Sequence, residues 1–103
     1  YIPENCLLSV GGSVYCTDIM VASHDNWPDY VFDENYELLA LDQLQIYIEK
    51  ESHLPGVPTK EEINSLGLSQ SELNELLLKK IEELNLYIIE MYNEINNIQK
   101  RSF

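Results

Sequence analysis

The sequence predicts an α+β chain: short N-terminal β-strands, two short helices, and a long C-terminal helix forming a parallel trimeric coiled coil. Three observations carry this. Residues 6–22 alternate with period 2, the pattern of half-buried strands. Thr59 and Ser69 are each followed three positions later by Glu, a pairing that opens helices. Ile81, Leu84, Ile88, Met91, Ile95 and Ile98 recur at 3-4-3-4-3 spacing, which keeps one apolar line facing partner helices.

The strand signal comes first. Leu8, Val10, Val14 and Cys16 alternate with Leu7, Ser9, Tyr15 and Thr17, and Ile19 and Val21 continue the period. Gly11-Gly12 reads as a turn or bulge. Such short strands are marginal alone, so they are expected to pair with other chains. Cys6 and Cys16 are too few for a disulfide framework or a zinc set. They could pair across a hairpin or stand as small apolar residues. With no base or cation beside either, free thiols are favoured.

His24-Asp25-Asn26 reads as a loop, and Trp27-Pro28-Asp29-Tyr30-Val31-Phe32 is the densest aromatic block. Pro28 restricts Trp27 to extended geometry. Asp33-Glu34-Asn35 is turn chemistry. Tyr36, Leu38, Leu39 and Leu41 lead into a helix with Asp42 as N-cap; Leu44, Tyr47 and Ile48 share a face, and it ends near Ser52. Residues 53–58 form a rigid loop, since Pro55 and Pro58 fix φ and Gly56 permits a turn. A short helix follows from the Thr59 capping box to about Leu66, with Gly67 placed to end it.

The long helix starts at the Ser69 box. With Ile81 as position a, the a set is Asn74, Ile81, Ile88 and Ile95, and the d set is Leu77, Leu84, Met91 and Ile98. Leu78 and Tyr92 at e and Tyr87 at g widen the apolar face, which favours more than two strands. Asn74 would set register. The expected interface is Leu77, Ile81, Leu84, Ile88, Met91, Ile95 and Ile98. The helix spans roughly 48 Å at 1.5 Å per residue, more than the rest of the chain can cover. Intramolecular packing of Leu44, Tyr47 and Ile48 is expected only near Leu73–Leu77. Residues 1–103 thus form one module: a β lead-in at 1–26, an aromatic loop with short helices at 27–68, and the coiled-coil helix at 69–101.

Charge narrows the functional classes. The net charge is −12, and residues 1–49 hold nine Asp or Glu but no Lys or Arg. This argues against nucleic acid and anionic membranes, which need clustered basic residues. No apolar run approaches the roughly 18 residues of a membrane span. The chain begins Tyr1-Ile2-Pro3 without Met, and reads as a fragment from the end of a longer protein.

Chemistry is sparse. Ser9, Ser13 and Ser23 could act as nucleophiles only with a base, from Lys50, a later Lys, His24 or His53; they read as strand and loop serines. Asp18, Asp25, Asp29 and Asp33 lack calcium-loop spacing, and two His make no zinc motif. They read as solvated carboxylates and turn caps. No catalytic residue, metal ligand or cofactor is assigned, and the chain is not read as an enzyme. Trp27, Tyr30 and Phe32 read as aromatic packing that fixes the loop on a helix, with ligand contact as the alternative, in which Trp27, Tyr30 and Tyr36 could stack on a sugar. His53 reads as a loop-anchoring hydrogen bonder, with ligand contact as the alternative.

Trp27-Pro28-Asp29-Tyr30-Val31-Phe32, Tyr36-Glu37-Leu38, Tyr47-Ile48, His53-Leu54-Pro55-Gly56-Val57-Pro58, residues 76–84 and Tyr87, in that order, resemble the C-terminal tail module of Bacteroidetes surface and tail-fibre-like proteins. Leu8-Ser9-Val10-Gly11-Gly12-Ser13-Val14 fits its leading strand, and the likeness covers about residues 7–95. In placement and helical ending it is distantly similar to the intramolecular chaperone domain of phage endosialidases and tail spikes. The resemblance implies a homotrimer that registers an upstream fibre shaft of the same chain, on a virion tail fibre or the cell surface. Two other roles stay open: a receptor- or glycan-binding fibre tip, and a self-cleaving chaperone. The latter uses a Ser–Lys pair, and the absence of Lys among the first 49 residues departs from it.

Overall fold

The computed structural model describes residues 4–22 and 27–101. They form a 3-10 helix, Pro28–Phe32, then α1 (Leu41–Glu51), α2 (Lys60–Leu66) and α3 (Gln70–Arg101). The described residues contain no β-strand, so the expected α+β class is corrected to all-helical. Residues 4–22 follow an irregular path of turns and bends. Leu7, Leu8, Tyr15 and Met20 are each at least 80% exposed. The physical reason is that alternation sets which face a strand would bury, but a strand also needs a ladder partner and a surface to cover. This single chain supplies neither. Cys6 and Cys16 are exposed free thiols. The loop around His24 and Asp25, with Ser23, lies outside the described residues, as do Tyr1-Ile2-Pro3.

Helix ends follow local chemistry. The Thr59 hydroxyl oxygen accepts the Glu62 N–H at 3.2 Å, capping α2. Gly67, at φ 73°, ends α2 while its N–H bonds the Ile63 carbonyl. Before α3, the Ser69 hydroxyl accepts the Glu72 N–H at 3.5 Å and the Ser69 carbonyl accepts the Leu73 N–H at 2.9 Å. Lys100 and Arg101 stand in its last turn, where cations complement the helix dipole. The expected Asp42 cap of α1 is corrected: Ala40 is the N-cap, and Asp42 sits in the first turn, accepting the Gln43 N–H. The end of α1 at Ser52 uses a left-handed residue, φ 60°.

Packing centres on α3. The 3-10 helix lies against it, with Pro28 and Val31 buried, and Trp27 before it has the extended ψ of 132° that Pro28 demands. Together the 3-10 helix, the 33–40 segment, α1 and the 52–58 loop form a collar on one side of α3. Leu44 lines a groove with Lys80, Leu84 and Tyr87, and Leu41 another with Met91 and Glu94. α1 thus meets α3 beyond the Leu73–Leu77 stretch at which its contact is expected, while Tyr30 of the 3-10 helix lies beside Glu75 and Leu76. The chain extends 65 × 30 × 28 Å with a radius of gyration of 18.9 Å, whereas a compact domain of this size has about 13 Å. About 48 Å of that length is α3, a rod that one collar does not surround.

Candidate oligomerisation surface

The expected interface residues form one exposed line. Leu77, Ile81, Leu84, Ile88, Met91, Ile95 and Ile98 are 47–60% exposed. From Leu77 to Ile98 the line runs about 32 Å. Isolated apolar residues on a surface are ordinary, but a continuous apolar stripe is the mark of a contact site.

The collar borders this line at Leu84 and Met91, which line its grooves yet stay 57% and 47% exposed, and does not bury it. It packs on α3 positions that the heptad puts elsewhere: Glu82 at b, Glu83 at c, and Lys80 and Tyr87 at g. Tyr87 is 9% exposed, and its hydroxyl donates to the Leu39 carbonyl at 2.6 Å. Tyr36 donates to Glu83 Oε2 at 2.5 Å, while Lys80 donates to Glu83 Oε1 at 3.0 Å. Burial first, then the Glu83 hydrogen bond and charge, pushes the Tyr36 hydroxyl well above the usual tyrosine range. Burial, followed by the charges of Glu83 and Glu90, raises Tyr87 in the same way. Both hydroxyls therefore stay protonated donors. Glu82 is only 8% exposed, and its Oε2 has no hydrogen-bond partner.

The aromatic block divides into buried and exposed positions. Pro28 and Val31 are the packed residues; Trp27, Tyr30 and Phe32 are 45%, 39% and 57% exposed. Tyr30 stands 6.0 Å from the Tyr36 ring, and Lys79 lies over its face at 5.6 Å. His53 belongs to the other loop. Its ring meets Tyr47 edge-on at 5.5 Å, and Nδ1 is 2.9 Å from the Leu54 carbonyl.

Sequence reading missed the Tyr36–Glu83–Lys80 cluster and the burial of Tyr87 by the chain's own backbone. Only the Lys80–Glu83 spacing gave a signal, as an i,i+3 pair. Asn74, expected to set register, accepts a hydrogen bond from Gln70 on its own helix. No group of three or more His, Cys, Asp or Glu among the described residues is arranged to hold a metal ion. No described helix is long and apolar enough to cross a membrane.

No protein-family model, curated protein or solved structure matches the chain.

Proposed function

We propose that this chain is an oligomerisation and folding module in which three copies associate in parallel through α3. The observation that carries this is the exposed seam from Leu77 to Ile95, every a and d residue of which stays about half exposed although the collar's grooves reach Leu84 and Met91. The mechanism is thermodynamic: burial of the seam couples folding to association, so the copies stabilise one another by mass action. The residue resemblance supplies the setting, the C-terminal end of a fibrous phage tail-fibre-like or bacterial surface protein. There the module would trimerise and register the upstream shaft. Light scattering after size exclusion, across a dilution series, tests the association. The expected mass is near 36 kDa, three times the 12.0 kDa chain. A constant single-chain mass would overturn the reading.

A second reading, a receptor- or glycan-binding tip, draws support from the exposure of Trp27 and Phe32. Trp27 is the one tryptophan of the chain, so its fluorescence reports on this loop directly. A fluorescence shift on titration with surface glycans, together with calorimetric binding heat that Trp27→Ala abolishes, is the outcome that favours it.

A further inference from the structure

The two flanks of the α3 seam differ. On the g flank, Lys80 and Tyr87 are covered by the chain's own collar. On the e flank, Leu78 is half-buried, but further along Asn85 is exposed and Tyr92 is 64% exposed. Between seam and collar lies an apolar groove. Leu39, Leu44, Leu54 and Pro55 wall it, Leu84 and Tyr87 lie along its α3 side, and Lys80 and Glu83 add polar groups to its lining.

In a parallel coiled coil, a g residue lies beside the e residue of the next heptad on the neighbouring helix. The neighbour's e residues beside Lys80 and Tyr87 are therefore Asn85 and Tyr92, and of these only Tyr92 has an apolar ring to offer an apolar groove. We infer that the groove receives Tyr92 of a second copy of this chain, so that each collar grips the neighbouring helix as well as its own. This rests on the self-association reading and specifies its contact.

Three observations support that occupant. A chain of net charge −12 repels itself, and the repulsion is least across a surface without like charges. Positions a, d and e from Leu77 to Gln99 contain no Asp, Glu, Lys or Arg. Orientation agrees: antiparallel helices would set g flank against g flank and bring two collars together, whereas parallel helices set each collar against an open e flank. Chemistry agrees too, because tyrosine has an apolar ring for the groove and a polar tip for Lys80 or Glu83.

Inter-chain disulfide formation tests this in a Cys6→Ser, Cys16→Ser background. Leu44→Cys and Tyr92→Cys are made in separate full-length chains, refolded together and mildly oxidised. Ile88→Cys, at an a position, reports the seam independently. The expected result is that Ile88→Cys chains cross-link to one another and that the mixture yields a peptide pair disulfide-linked between positions 44 and 92, found by mass spectrometry. If Ile88→Cys cross-links and the mixture does not, the groove assignment is overturned and self-association stands. Cross-linking of Leu44→Cys chains to themselves, without the mixed product, would indicate collar against collar and overturn it as well. Should neither pair cross-link and the mass stay that of one chain, both readings fall. If circular dichroism shows that Leu44→Cys does not fold, Leu54→Cys replaces it, since Leu54 is 42% exposed on the same groove.

Discussion

Glu83 is the residue on which the collar turns. It accepts from Tyr36, 47 positions away in sequence, and from Lys80 one helical turn back. Tyr36→Phe should lower stability by about 2 kcal/mol, the usual worth of a hydrogen bond to a charged group, measured by urea unfolding. The same bond gives a pH signature. Tyr36 and Tyr87 hold their protons more tightly folded than unfolded. Their contribution is therefore complete below the ordinary tyrosine pKa of about 10 and is lost as pH rises above it. Unfolding midpoints should fall on the alkaline side, and less so in the Tyr36→Phe, Tyr87→Phe double variant. Glu82 makes the opposite case. Its buried Oε2 lacks a partner, so Glu82→Leu should raise stability by about 1 kcal/mol by removing an unsatisfied group, read as a higher thermal midpoint.

At the scale of elements, what the sequence made legible is what depends on near neighbours. Thr59, Gly67 and Ser69 act over three or four residues, and the bounds of α2 and α3 follow from them. Gly67→Ala should cost about 2 kcal/mol, because φ 73° with ψ −175° is a backbone conformation open essentially to glycine alone, and thermal unfolding would record it. Thr59→Ala should cost less, about 1 kcal/mol. The strands were not legible as absent, because alternation reports a preference for burial and says nothing about whether a ladder partner exists. The 3-10 helix was read as a loop, since Trp27-Pro28 marks extended backbone before Pro28 and leaves the next turn unspecified. The seam from Leu77 to Ile98 was visible because helical spacing alone sets its line. The groove beside it was not, because Leu39, Leu44 and Tyr87 meet only through a long-range fold.

The whole molecule carries a rod about 48 Å long and a collar that covers one side of it. A single copy leaves most of its large apolar residues exposed, and the proposed association would cover those along the α3 seam. Ile88→Asp places a charge mid-seam, where each copy would meet the same charge on its neighbours. It should reduce the light-scattering mass to that of one chain; an unchanged mass would remove the seam from the interface. The collar's one-sidedness has a further outcome for the proposed assembly. Each copy becomes donor and acceptor at once, offering Tyr92 to one neighbour and a groove to the other. A chain beginning at Thr59 would donate without accepting. Mixed with intact chains, it should enter the ring and open it at one joint, acting as a poison subunit whose potency grows with its share of the mixture.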